Sequence, residues 1–480
     1  MIVAGYLMPH APVFIEEVGG GQARKVQSTQ QAMHDVGKEI AALKPELIVV
    51  ISPHGPIFTD AISLYDFEDY SGDFHRFGEF TLNYRFKKAK DLLTQLMSDS
   101  AKQKGLYYAL SEQQFRKFQH DPKLDHGVLV PLHFIAQHYQ DFELLAMSYG
   151  TFSPVSLLKH GQILSEAIEK MGKRTVIIAS GDMSHALSNN GPYNYNENGP
   201  WFDSLMQECV SNQKPYDAFT LPHEKLEMAA ECGFKSYALM MGALSKYALE
   251  SNVVSYEGPF GVGYLVARFM PLGKSQQDPV SIIENKIKMD HSERIKHAHP
   301  FVKFAETIID YYVRHHHLPN WSLDAQGIIM DNQNIPLEGC MALSKQKNGT
   351  FVSIKKNGVL RGCIGTIMPT RENVIYEIAQ NAVSACSKDY RFDPITPDEL
   401  DELTVSVDVL SDLEAVKDIH SLSPKKNGII VHSKGRMGVL LPNLEGIDTI
   451  EEQMKIASNK GGFSVEEIDD METFTVERFY

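Results

Sequence analysis

The sequence predicts an α/β protein with a mostly parallel central sheet and helices on both faces, followed by a second, smaller α+β domain. Three observations predict it: uniformly apolar runs that stop at turn residues, a helical stretch between the first two, and a polar break after residue 271. IVAGYL at the start stops at Pro9, and LIVVIS at 47–52 stops at Pro53. Unbroken apolarity, rather than alternation, suits strands buried on both faces of a parallel sheet. Between them GQARKVQSTQQAMHDVGKEIAALKP spaces its apolar residues as a helix does and ends on a proline. Strand, helix and strand form a βαβ unit, whose two strands are expected to lie parallel with their carboxyl ends side by side. FELLAMSYG and RTVIIASGD repeat the strand signal and extend the sheet.

After VGYLVARFMPLG the stretch KSQQDPVSIIENKIKMDHSERIKHAHP is charged and short of large apolar residues. The expected organisation is a first domain over 1–271, a linker over 272–295 and a second domain over 296–480. That second domain opens with a helical FVKFAETIIDYYVRHH and continues through a strand-like FVSIKKNGVL and the glycine-punctuated RGCIGT. A helix over ENVIYEIAQNAVSACS follows, then β-branched strands in ELTVSVDVL and GIIVHS.

Composition narrows the function classes. At 480 residues the chain is long enough for two to four domains at roughly 100 to 200 residues each. A hydrophobic share of 43% with 22% charged residues is that of a soluble globular protein. No run approaches the roughly 18 apolar residues of a membrane span, and the start has no basic leader, so a cytoplasmic protein with no membrane partner is expected. Five scattered cysteines without a CxxC pair indicate neither a disulfide framework nor a zinc ribbon. A net charge of −15 opposes a phosphate backbone, which excludes general nucleic-acid binding and favours a small-molecule substrate or a protein partner.

The chemistry lies in histidines placed where an open parallel sheet binds its ligands, just past the carboxyl ends of strands. His10 in MPHAP, His54 in SPHGP and His185 in SGDMSH hold such positions, and His126 in LDHGVLVPL precedes a helix. One histidine is more often a hydrogen-bonded structural residue than a ligand, but four in equivalent contexts indicate a metal site. Asp182 and Ser184 beside His185 suggest a hydrolase triad, which the absence of a GxSxG motif argues against. RHHH at the end of the first helix of the second domain reads as a solvated helix end.

An early HxP, a strand ending in SPHG, then DHG, then SGDxSH, in that order, resembles the class III extradiol dioxygenase (LigB) superfamily and its MEMO-like relatives over about residues 1–270. The resemblance implies His10 and His54 as metal ligands, with His126 and His185 as catalytic acid and base. It implies Fe(II), with zinc or another divalent ion as alternatives, and oxygen chemistry on a small, catechol-like aromatic. For the third ligand AAECGFKSYALMMGAL offers Glu231 and its neighbour Cys232. Glu231 is preferred because a carboxylate completes an iron facial triad, whereas the MEMO-like relatives place a cysteine near the metal. Glu257, in SYEGPFGVGY, lines the pocket in one reading and is a surface carboxylate in the other.

LRGCIGT with SKDYRFDP and GRMGVLLP resembles the AMMECR-type domain over about residues 300–480, a likeness that implies fold more than function. Cys363 lies between glycines and reads first as a buried structural thiol, with Arg361 the nearby cation able to activate it or hold an anion. Asp389, Arg391 and Phe392 either cap the local backbone or line a groove. The two domains in one chain resemble the fused form of the AmmeMemoRadiSam system, which implies a separate radical-SAM protein as partner. Three functions stay open: an Fe(II) oxygenase, a metal-dependent enzyme that does not cleave rings, and a metal-binding scaffold.

Overall fold

The apolar runs form the buried middle of one sheet in the computed structural model, which describes residues 1–102, 106–221, 223–330, 333–356, 358–444 and 446–480. In chain order the elements that matter are β1 (Ile2–Met8), α1 (Gln27–Leu43), β2 (Leu47–Ile51), β3 (Ile62–Tyr65) and α2 (His126–Ala136). They continue with β4 (Glu143–Met147), α3 (Pro154–Met171), β5 (Thr175–Ser180), α4 (Asn198–Ser211), α5 (Phe234–Leu244), β6 (Tyr247–Glu257) and β7 (Tyr264–Lys274). Along the sheet the order is Tyr70–Asp73, Asn83–Lys88, β4, β2, β5, β1, β7, β6. Strands β4, β2, β5 and β1 run parallel, while β7 and β6 add an antiparallel edge. Every residue of β2 and β5 is buried, and full burial of a Val or Ile side chain contributes about 1.5–3 kcal/mol.

One expectation is corrected. β1 and β2 are not neighbours, because β5 lies between them and pairs with both. The βαβ reading fixes direction but not adjacency, since a crossover helix leaves room for a strand that arrives later in the chain. The register nevertheless keeps the ends level: Leu7 and Ile51 both lie opposite Ala179 of β5. Helix α1 buries Thr29, Ala32, Met33, Val36 and Ile40, one stripe at helical spacing, and stops at Lys44 in the left-handed region before Pro45. Among the described residues no helix is long and apolar enough to cross a membrane.

The chain divides into two compact units, Met1–Lys286 and Ile287–Tyr480. The division falls within 272–295, but that stretch is mostly ordered: β7 runs to Lys274 and α6 (Pro279–His297) follows, burying only Val280 and Ile283. The second unit begins with α7 (Pro300–His315) and forms the hairpin β8 (Thr350–Lys356) and β9 (Val359–Thr366), then α8 (Val374–Ser387). It closes with β10 (Leu403–Leu410), β11 (Asn427–Ser433), β12 (Arg436–Leu440), α9 (Ile450–Gly461) and β13 (Asp470–Phe479). Its sheet is antiparallel in the order β9, β8, β10, β13, β11, β12, as an α+β domain should be. Val359 and Leu360, read as the tail of the preceding strand, open β9, and RGCIGT lies on that strand; Asn357 lies outside the described residues. The RHHH segment is an exposed helix end, with His316 as its left-handed cap.

Candidate metal centre

Level strand ends place histidines from three loops in one crevice. His10 follows β1 by two residues, His54 follows β2 by three, and His126 opens α2 behind its N-cap Asp125. The Nε2 atoms of His10 and His54 are 2.9 Å apart, and the rings of His54 and His126 are 3.9 Å apart between centroids. One ligand atom from each of these three lies within 4.8 Å of the others, and the same holds for His10, Asp182 and Cys232. With metal–nitrogen bonds of about 2.1 Å, 2.9 Å is the separation of two adjacent ligands on one divalent ion, so the residues fit a metal.

The hydrogen bonds behind the rings of His10 and His185 fix which nitrogen carries the proton. The Ser180 hydroxyl donates to the Gly127 carbonyl at 2.5 Å, so its oxygen accepts from His10 Nδ1 at 3.2 Å. His10 therefore carries its proton on Nδ1 and turns a lone pair on Nε2 toward the cluster. His185 is set the same way. Its Nδ1–H donates to the Ala230 carbonyl at 2.6 Å, leaving Nε2 unprotonated. Burial, reinforced by the neighbouring imidazoles, holds His10 well below the usual histidine range, and burial pushes His126 down to about 4. Burial lowers His54 and His185 too. All four are neutral at pH 7, the form that ligates metal or accepts a proton.

Asp182, which in the sequence suggests only a triad with Ser184 and His185, is the carboxylate that joins the cluster. Its Oδ1 accepts from the His10 backbone N–H at 2.9 Å, its own N–H donates to Cys232 Sγ at 3.3 Å, and burial raises its pKa to about 7. Cys232 Sγ stands 3.7 Å from His10 Nε2. The thiol arrives there because Gly181 and Gly233 abut: a Cβ on Gly181 would lie 2.1 Å from the Gly233 Cα. Two glycines thus let the start of α5 rest on the end of β5. The signal was present in SGD and CG, but only as letters.

Glu231, preferred from sequence as third ligand, joins neither converging group. Its carboxylate accepts from the Phe234 N–H at 2.5 Å and caps α5, where the helix N-terminus favours negative charge. Burial raises its pKa to about 7. Glu257 accepts from the Thr29 N–H at 2.7 Å and so caps α1 instead of facing the cluster. His126, expected behind the metal, stands level with His10 and His54. His185 stays outside both groups. Ser184 is fully buried, and its hydroxyl donates to the Ala229 carbonyl at 2.7 Å, so it is no nucleophile. A groove of about 1900 Å³ lies elsewhere in the unit, lined by Gln30, His34, Tyr84, His133 and Phe142, and contains none of these groups. The converging ligand atoms, not this groove, mark the chemistry.

In the second unit the motif residues bind one another. Arg361 makes a two-pronged pair with Glu399 at 2.9 Å on each oxygen, and the guanidinium holds Glu399 down to about 2 against its burial. It is therefore not free to activate Cys363 or hold an anion. Asp389 Oδ2 accepts from the Cys363 N–H at 2.9 Å, while Arg391 pairs with Asp389 and donates to the Cys363 carbonyl at 3.0 Å. RGCIG and DxRF are two halves of a clamp on the edge strand β9. The Cys363 thiol lies 3.2 Å from Ser353 Oγ.

A family model described as the catalytic LigB subunit of aromatic ring-opening dioxygenase matches residues 4–267. The chain belongs to the LigB family, which is metal-dependent and includes dioxygenases, and this domain fits a metal-dependent oxidoreductase. An AMMECR1 model matches residues 302–479, so this is a member of the fused type that carries both domains in one chain. A Clostridium acetobutylicum protein is 33% identical over 474 residues, 99% of this chain and 97% of its own. A Thermotoga maritima protein is 46% identical over 184 residues, 38% of this chain and 97% of its own. Two solved structures are similar in part. The uncharacterized protein PH0010 of Pyrococcus horikoshii is 24% identical over 38% of this chain and 89% of its own, with a TM-score of 0.32. The uncharacterized protein JW3007 of Escherichia coli K12 is 12% identical over 56% of this chain and 99% of its own, with a TM-score of 0.38.

Proposed function

We propose that the LigB domain uses non-haem Fe(II) to open or oxidise a small, catechol-like aromatic ring. The observation that carries this reading is three converging imidazoles with a fourth neutral one, His185, outside ligand range. A structural metal site has no use for that extra titrating group. His10 and His54 would hold the ion, with His126, Asp182 and Cys232 in reach of its remaining positions. Bound Fe(II) would supply Lewis acidity toward a ring hydroxyl and redox chemistry toward dioxygen. His185 takes up the hydroxyl proton on Nε2, and the Ala230 carbonyl accepting its Nδ1–H steadies the cation that forms. Phe77 meets the His126 ring edge-on at 5.3 Å and Tyr193 lies 6.1 Å from His185, which suits a flat apolar ring.

The test is anaerobic loading with Fe(II), then oxygen uptake with catechol and substituted catechols. Uptake matched by a ring-opened product supports the reading, and a loaded protein that consumes no oxygen overturns it. The place of Cys232 favours a second reading, in which a softer ion serves a reaction without ring cleavage, or a scaffold, as in the MEMO-like relatives. Zinc or copper in protein purified anaerobically would move that reading first. The pairing with an AMMECR1 domain supports a radical-SAM protein as reaction partner, to be tested by co-purification of the two.

A further inference from the structure

We propose that Asp125 is the positioning residue of the metal centre: without ligating, its carboxylate sets the spacing of His54 and His126 and supplies the negative charge that metal affinity depends on. This rests on the cluster binding a metal, and not on ring cleavage. Asp125 belongs to neither converging group. Its Oδ1 accepts from the Ser52 hydroxyl at 2.6 Å and from the Gly127 and Val128 N–H groups at 2.8 and 3.3 Å. Its Oδ2 accepts from the Tyr65 hydroxyl at 2.6 Å.

Capping a helix needs only the two backbone bonds. The other two reach across the fold, to the residue after β2 and to the last residue of β3. Ser52 in turn accepts from the His54 N–H at 3.2 Å. One carboxylate therefore joins the loop that carries His54 to the helix that begins with His126. The joint is tight, because a Cβ on Gly127 would lie 2.3 Å from Ser52 Oγ. This explains in physical terms why the serine of SPH and the aspartate and glycine of DHG occur together: each letter is one contact of a single knot. All four partners are donors, as suits a carboxylate anion beside the two rings. A carboxylate that holds ligands in place and offsets a cation typically tunes metal affinity by about 10–100-fold.

The experiment titrates Fe(II) anaerobically, and Co(II) as a visible-spectrum probe, into the wild-type chain, Asp125→Asn, Tyr65→Phe and Ser52→Ala. Asparagine still caps the helix, so Asp125→Asn removes the charge and the acceptor for the Tyr65 hydroxyl while sparing the fold. We expect Asp125→Asn to bind at unchanged stoichiometry but about 10–100-fold more weakly, with a shifted Co(II) band, and the other two to weaken binding severalfold. Wild-type affinity and spectrum in Asp125→Asn would overturn the proposal. Should that variant fail to fold, wild-type affinity in both Tyr65→Phe and Ser52→Ala would overturn it as well. A wild-type chain that binds neither ion sinks the metal reading and this inference together. One that binds both yet takes up no oxygen with catechols sinks only the oxygenase.

Discussion

The crevice beyond β1, β2 and β5 and the edge of β9 both gather ionisable side chains, yet they are bonded in opposite ways. At β9 each charged group already has its partner: Arg361 holds Glu399, Arg391 holds Asp389, and the Asp389–Arg391 pair satisfies both polar groups of the Cys363 backbone. In the crevice the hydrogen bonds point backward, from His10 to Ser180 and from His185 to Ala230, and the front nitrogens face one another. Charges already paired hold a strand in place, whereas neutral rings whose front nitrogens meet only one another can turn to a ligand. A cluster of titratable residues is thus a candidate site only where its bonding is incomplete on one side.

The sharpest way to break this comparison is to remove a front nitrogen. His10→Ala and His54→Ala should each drop metal content from about one ion per chain to near none by elemental analysis of anaerobically loaded protein, since few ligands would remain. Undiminished metal in both would mean that the crevice is not the binding site. Next in size, His185→Ala should keep its metal and lose turnover by about 10²–10⁴, the range for a lost general base. Loss of metal with activity would make His185 a ligand.

At β9 the expected effect is on stability alone. Asp389→Ala leaves the Cys363 N–H and the Arg391 guanidinium without their partner and should cost about 2–3 kcal/mol in chemical denaturation, with metal content unchanged. The pH dependence has a definite sign: Arg391 holds Asp389 down to about 2, so its contribution is complete above an ordinary carboxylate pKa near 4 and is lost as pH falls toward 2. An acid-limb stability curve unaltered by Asp389→Asn would show that the clamp carries no energy.

Smaller effects separate the two adjacent residues of AAECG. Cys232→Ser should weaken Fe(II) or Zn(II) binding by about 10–100-fold, while Glu231→Gln keeps the metal and loses about 1 kcal/mol of helix capping. The reverse pattern would restore Glu231 as ligand. Smallest is a pH effect on binding itself. Burial keeps the histidines neutral but raises Asp182 to about 7, so a metal arriving below that pH must displace the Asp182 proton. In a Cys232→Ser chain, which lacks the other ligand that must lose a proton, affinity measured between pH 6 and 8 should rise with pH, by at most about tenfold per unit below 7, and adding Asp182→Asn should flatten it. A flat profile in the Cys232→Ser chain would leave Asp182 out of the site.

Much of the candidate site was legible because its residues sit in short runs after apolar strands: His10, His54 and His185 needed only the strand ends and the rule that ligands bind beyond them. Glu231 and Cys232 were not separable, because adjacent residues differ in direction and direction depends on the packing of α5. The clamp at β9 shows the same limit. Its letters were visible, but 26 residues separate Cys363 from Asp389, and no local rule joins them.

By itself the sequence determined the two domain types, the buried parallel strands, and the loops that carry the histidines. These follow from periodicity and turn residues, which act over a few positions. Only the tertiary structure decided that β5 separates β1 from β2, that Cys232 and not Glu231 faces His10, and that His126 stands level with the ligands. It also decided which charged groups were already paired. The physical reason is common to all four: buried apolar strands are nearly interchangeable in composition, and a side chain's partner is set by contacts between segments far apart in the chain.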